Sequence, residues 1–210
     1  MQLYVSGCAV DKGIPSKNNE DAITLYNTGI DFAKENLNDK AIAQFSRALA
    51  IDTNFSEAYF NRGILYMHMN QYDQATNDFN KALEINPKKA EAYKARGISY
   101  ANKNQWDKAI NDYNKYIDFI QNDCQVYFNR AVAYNNKHMY LNGINDLNTA
   151  ISINHTFAEA YDFRGYINIT LYQITMINQY KEKACADFNR ACDLGECDNF
   201  LFAKRNSYCK

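Results

Sequence analysis

The chain has 210 residues, a formal net charge of −1 and an apolar share of 47%. No basic stripe stands out, so the charge pattern excludes a nucleic-acid-binding surface built on lysine and arginine. No apolar run approaches the ~20 residues needed for a membrane-spanning helix. Tyr (17) and Phe (12) are abundant while Gly (8) and Pro (2) are scarce, which suits helices packed through aromatic side chains.

Residues 1–21 stand apart from the rest of the chain. Val5-Ser6-Gly7-Cys8 resembles the end of a bacterial lipoprotein signal, in which a small residue precedes a cysteine that is acylated. Met1 to Gly7 has neither the basic start nor the apolar stretch of about 7–15 residues of a complete signal. The polar segment Ala9 to Asp21, with Gly13, Pro15 and Ser16, reads as a tether. The expectation is lipidation at Cys8 and a place on the periplasmic side of a bacterial envelope. The alternative is a cytoplasmic protein whose cysteine there is incidental.

From residue 22 a 34-residue period sets in. Gly29, Gly63, Gly97, Ala131 and Gly165 mark it. Leu25, Tyr59, Tyr93, Tyr127 and Tyr161 stand four residues earlier, and Phe32, Tyr66, Tyr100, Tyr134 and Asn168 three later. A second small residue comes at Ala41, Ala75, Ala109 and Gly143, then a bulky one at Phe45, Phe79, Tyr113 and Leu147. Ala48, Ala82, Tyr116 and Ala150 complete the unit. Residues three and four apart share a helix face. Small residues let two helices approach, and aromatic rings fill the space beside the crossing. A single hairpin cannot bury its apolar face alone, so a stack of them is expected.

The five repeats are 22–55, 56–89, 90–123, 124–157 and 158–195. In the last, Gly165 to Ala184 spans nineteen residues where the others have twelve, an insertion of seven. That is about two helical turns, which keeps Phe188 and Ala191 in phase. The segment from Tyr166 to Tyr180, with Ile169, Leu171, Tyr172, Ile174, Met176 and Ile177, either projects as a contact site or folds back on the stack. Residues 196–210 read as a C-terminal capping helix carrying Phe200, Leu201 and Phe202, followed by Lys204 and Arg205.

Arg62, Arg96, Arg130 and Arg164 each precede the small residue, and Asp78, Asp112, Asp146 and Asp187 each precede the second bulky one. The first repeat lacks both partners, having Thr28 and Gln44. Their joint absence predicts structural ion pairs between the two helices of repeats two to five.

The cysteines Cys8, Cys124, Cys185, Cys192, Cys197 and Cys209 form no metal-ligand spacing. A disulfide across the turn at Gly195, joining Cys192 and Cys197, or one from Cys197 to Cys209, would staple the last hairpin in an oxidising compartment. Otherwise these cysteines pack as small apolar residues. Cys124 is the odd one out. His68, His138 and His155 fall in different repeats, and no Gly-rich phosphate loop or catalytic constellation is present. No cofactor or metal is implied.

The stretch A-Y-F-N-R-G-I-L-Y from Ala58, followed by Y-D-Q-A-T-N-D-F-N-K-A-L-E-I-N-P ending at Pro87, resembles the tetratricopeptide repeat family. The family's proline is kept only as Pro87, with Thr53, Gln121 and His155 in its place elsewhere. The resemblance implies an all-α, right-handed superhelical solenoid of helix-turn-helix repeats. It also implies a non-enzymatic scaffold whose first helices line a peptide-binding groove. Carried onto this sequence, the groove positions are Tyr26, Asn27 and Ile30; Phe60, Asn61, Ile64 and Met67; Lys94, Ile98 and Asn102; Phe128, Asn129, Val132 and Asn136; and Asp162 and Tyr166. Asparagines among aromatic groups suit an extended peptide. The alternative is that some of them pack between neighbouring first helices. Members that clamp a chaperone's C-terminal carboxylate use basic groove residues. Tyr26, Ile30, Ala95, Gln125 and Asn129 stand at such positions here, which argues against that role. The expected partner is a protein or extended peptide, with membrane association through a lipid alone. The alternative is a cytosolic adaptor or regulatory subunit.

Overall fold

A computed structural model describes residues 17–209, which form eleven α-helices. Cys8 and the proposed tether up to residue 16 lie outside the described residues. The chain forms two compact units, Met1–Lys103 and Asn104–Lys210. Their boundary falls inside the third 34-residue repeat, between its two helices.

The first unit contains α1 (Lys17–Lys34), α2 (Asn38–Ile51), α3 (Ser56–His68), α4 (Tyr72–Ile85) and α5 (Ala90–Asn102). Each helix packs on the next in sequence. The second unit contains α6 (Trp106–Phe119), α7 (Cys124–Asn136), α8 (Tyr140–Ile153), α9 (Ala158–Thr175), α10 (Asn178–Asp193) and α11 (Asp198–Arg205), again packed in order.

Sequence periodicity sets the helix crossings. A Cβ added at Gly29 would stand 2.7 Å from a ring carbon of Phe45. The same contact would be 2.8 Å at Gly63 against Phe79 and 2.7 Å at Gly165 against Phe188. Ring and glycine therefore interlock, and no larger residue fits without displacing the ring. At Ala131 the exchange is compensated: the bulky partner is Leu147, and both are fully buried in one cluster.

A second period governs the turns. Asn36, Asn70, Asn104 and His138 all adopt left-handed backbone, with φ between 57° and 60°. Asparagine tolerates this conformation better than most residues with a Cβ. At Asn36, Asn70 and His138 the turn closes as a Schellman motif. Leu37 N–H, for instance, donates to Phe32 C=O and Asn36 N–H to Ala33 C=O. Between repeats, Asp52, Asn86 and Asn154 accept a hydrogen bond from the backbone N–H two residues on. The junction before α7 differs: Ile120 stands at that place, and Asp123 caps the helix instead.

The seven-residue insertion is shared by both helices of the last hairpin. With 18 residues, α9 is five longer than the 13 of α7, and with 16, α10 is two longer than the 14 of α8. The inserted segment divides between burial and exposure. Ile169 and Leu171 are buried, whereas Ile174 (64% exposed), Met176 (73%) and Ile177 (50%) stand in solvent at the turn. Met176, with φ 59°, makes that turn. On α11, Ala203 is buried against Ile169, Ala184 and Phe188, while Leu201 and Phe202 face outward.

Candidate functional site

The recurrent charges are engaged inside the hairpins. Arg62 donates from Nε and Nη2 to Asp78 Oδ2 and Oδ1, both at 2.7 Å. Arg130 grips Asp146 at 2.7 and 2.6 Å, and Arg164 grips Asp187 at 2.9 and 2.6 Å. Each is a bidentate fork between the two helices of one repeat, with the carboxylate buried. Burial pulls the Arg62 and Arg130 guanidinium groups toward lower pKa. The bonded Asp78 and Asp146 more than offset it, so both are raised overall. Arg96 and Asp112 belong to different units; within its own unit, Arg96 donates to Asn80 at 2.7 Å.

The third guanidinium nitrogen makes a further periodic contact, outside the ion pairs expected from the sequence. Nη1 reaches back to the preceding repeat: Arg62 to Ser46, Arg96 to Asn80, Arg130 to Asn114 and Arg164 to Asn148, at 2.6–2.8 Å. Ser46, Asn80, Asn114 and Asn148 stand 34 residues apart. Tyrosine rings flank the same arginines: Tyr59 and Tyr66 at Arg62, Tyr93 and Tyr100 at Arg96, Tyr127 and Tyr134 at Arg130. Arg62, Arg130 and Arg164 thus tie their own hairpins together, and all four arginines join a hairpin to the one before.

The sixteen groove positions divide between packing and exposure. In the first unit, Phe60 and Asn61 are buried. Asn61 Nδ2 donates to Tyr26 Oη at 2.7 Å, and the Tyr26 ring packs on Phe45 and Phe55. Phe60 packs on Phe79, with the Lys89 ammonium over its face. Tyr26, Phe60 and Asn61 are therefore taken up by packing within and between hairpins. Asn27 and Asn102 are exposed, and Ile30, Ile64, Met67, Lys94 and Ile98 are half-buried.

In the second unit a run of rings emerges from the core. Phe157 packs on Phe128 (centroids 5.2 Å), Phe128 on Phe163 (5.7 Å), and Phe163 stacks on Tyr166 at 6.0 Å and 7°. Phe157 is 9% exposed and Tyr166 48%, so the run ends in solvent. Phe163 is a member the repeat pattern does not supply, because the same place in the preceding repeat is Asn129 rather than an aromatic residue. Val132 and Asn129 are half-buried and Asn136 is exposed on α7. Asn136 returns its Nδ2 to Val132 C=O, and Asn129 accepts from Gln125.

Asp162 is covered rather than open. Asn199 on α11 donates to it at 2.6 Å. Burial raises the Asp162 pKa, opposed by the Asn199 hydrogen bond and reinforced by nearby Glu196 and Asp198.

Two disulfides close the C-terminal region. Cys192–Cys197 spans the turn at Gly195, with Cα atoms 4.1 Å apart. Cys209 joins Cys185, with Cα atoms 5.5 Å apart, and not Cys197. The reason is geometric: Tyr208 and Cys209 fold back beside α10, where Cys185 Sγ approaches the Tyr208 carbonyl. Among the described residues Cys124 is the free cysteine. Among the same residues no cluster of three His, Cys, Asp or Glu could hold a metal, and no helix is long and apolar enough to cross a membrane.

Tandem helical hairpins nested through glycine–aromatic contacts define a helical-repeat protein. A tetratricopeptide repeat model matches residues 56–89, and a second matches 79–111. Residues 56–111 of the chain thus carry the tetratricopeptide repeat pattern. Among solved structures it is similar to YrrB, described as a tetratricopeptide repeat protein with an unusual peptide-binding site. That match has 22% identity and a TM-score of 0.77, covering 90% of this chain and 94% of that one. MamA from Desulfovibrio magneticus RS-1 matches with a TM-score of 0.77 at 16% identity, over 85% of this chain and 97% of that one. Another MamA structure matches with a TM-score of 0.76 at 21% identity, over 84% and 93%. At these identities the likeness establishes the fold. No curated protein sequence matches the chain.

Proposed function

We propose that this protein is a non-enzymatic scaffold that binds an extended protein segment along its first helices, centred on α7 and α9. Tetratricopeptide arrays support a protein-interaction role in general. The observation that carries the reading is the graded ring run Phe157–Phe128–Phe163–Tyr166, which passes from the core to a half-exposed tyrosine. Rigid rings offer large contact area at small entropic cost, and exposed Asn136 on α7 offers an amide for hydrogen bonds to a peptide backbone. YrrB, with its peptide-binding site, is consistent with a peptide partner.

A photo-crosslinking residue at Tyr166, compared with one at exposed Asn145 on α8, tests this in the native host. Discrete protein adducts at 166 and none at 145 are expected. Equal labelling at both positions, or none at 166, rejects the reading.

For location we propose the periplasmic side of a bacterial cell envelope, with Cys8 acylated. The two disulfides support an oxidising compartment. The mass of the protein from its host, with and without reduction, tests this. An acylated N-terminal cysteine and a single free thiol, Cys124, are expected. An unmodified Cys8 with all thiols reduced would favour the cytosolic adaptor.

A further inference from the structure

The fifth hairpin opens a cleft beside its arginine, where earlier ones carry a tyrosine ring. In repeats two to four, Tyr66, Tyr100 and Tyr134 each lie about 6 Å from the arginine four residues before them. The corresponding residue of the fifth repeat is Asn168, and among the described residues Tyr161 is the one tyrosine ring on the flank of Arg164. A cleft of ≈ 520 Å³ lies there, between α8, α9 and α10. Leu141, Ile144 and Tyr180 form apolar walls, Arg164 and Asn168 line it, and Lys183 stands exposed among the lining residues.

Asn168 gives the cleft a polar demand. It is 3% exposed, and its Nδ2 donates to the Arg164 carbonyl. Its Oδ1 is buried and has no hydrogen-bond partner among the described residues. A buried acceptor without a donor is costly, and native structures rarely leave one so. The volume is within the range of small-ligand sites, about 300–1,000 Å³. Leu141 is 61% exposed, an apolar side chain kept in water beside the opening.

We propose that this cleft binds a tyrosine side chain presented by a partner polypeptide. Three times the chain itself lays a phenol ring beside the equivalent arginine. An incoming ring would pack against Arg164, Ile144 and Leu141. Its hydroxyl, entering first, would donate to Asn168 Oδ1 once a small shift of that side chain uncovers the atom, which is closed to solvent in the free protein. Leucine would satisfy the walls and leave the acceptor unpaired; phenylalanine would add the ring but not the donor. The site involves different residues from the ring run on α7 and α9, so either can fail without the other.

The test is titration of the full chain with N-acetyl-tyrosinamide, followed by NMR at the Asn168 side-chain amide and the Leu141 methyls. Saturating shifts with a Kd of about 1 mM or tighter are expected, with the phenylalanine analogue about tenfold weaker and the leucine analogue silent. Asn168→Tyr should fill the cleft, raise the Tm and abolish the shifts. Leu141→Ser should weaken binding several-fold at unchanged Tm, and it decides the matter if the tyrosine variant does not fold. Absence of saturating shifts in the folded wild type, or equal binding by these variants, overturns the proposal. So does self-association that Asn168→Tyr removes in the absence of probe binding, which would make the occupant a second copy of this chain.

Discussion

The hairpins α3–α4 and α9–α10 share their packing and differ in nearly everything else. Both press a phenylalanine ring onto a glycine, Phe79 on Gly63 and Phe188 on Gly165. Both lock an arginine to a buried aspartate with two hydrogen bonds. Yet the second hairpin is longer, turns through Met176 instead of Asn70, carries asparagine where the first has Tyr66, and is stapled by disulfides. The contacts that hold two helices in register persist, and positions free of that duty change. Exposed rings, the cleft and the projecting turn all gather in the region that departs from the pattern.

The largest effect expected from the shared features is at the ion pairs. Asp78→Ala leaves the mostly buried Arg62 without its carboxylate, and a loss of about 3 kcal/mol is expected. Asp187→Ala should cost a similar amount, because its arginine is held in the same way. Urea unfolding of both variants checks this. A large loss at one and none at the other would show that the two hairpins are not held alike.

Reduction should separate the two regions. Closing the 24-residue span between Cys185 and Cys209 contributes about 3 kcal/mol by loop entropy, and the short Cys192–Cys197 loop about 2 kcal/mol. Hydrogen exchange with and without reductant should show faster opening of α10 and α11, and no change in α1 to α4. Uniform loosening would contradict it.

Glycine substitutions come next. Gly63→Ala and Gly165→Ala each force a ring aside, at a cost of about 1–3 kcal/mol that the better helix propensity of alanine partly offsets. Thermal unfolding reads it. The cost at Gly165 should fall if Phe188→Leu is added, copying the Ala131–Leu147 combination already present in the fourth repeat.

The smallest effect is at Asp162. Its folded-state pKa is raised, first by burial, so the stability it contributes is complete below the ordinary aspartate value of about 3.9 and is lost as pH rises through the raised value. Asp162→Asn should therefore raise the Tm slightly at pH 7, and by less at pH 3. A variant less stable at neutral pH would mean that the Asn199 hydrogen bond to the charged carboxylate outweighs burial.

What could be read in the sequence was whatever recurs with the period. Gly63, Phe79, Arg62 and Asp78 announce a helix crossing because identical geometry demands identical residues each time. The αL asparagines and the Asn80–Asn114–Asn148 series recur as faithfully, but asparagine is also common on exposed helix faces, so its regularity did not single it out. The groove was less legible. Tyr26, Phe60 and Asn61 resemble ligand-facing residues by position and are consumed by packing contacts of the hairpins. Phe163 and the cleft at Asn168 were hidden because each is a departure from the repeat. The Cys185–Cys209 bond depends on where the last residues fold back, which local spacing does not encode.

The most direct measurement is a double-mutant cycle on Arg130 and Asp146, read by urea unfolding of the single and double alanine variants. If recurring residues exist to clamp one helix to the next, the two should be coupled by about 2 kcal/mol or more. Additive losses, with no coupling between them, would contradict the account.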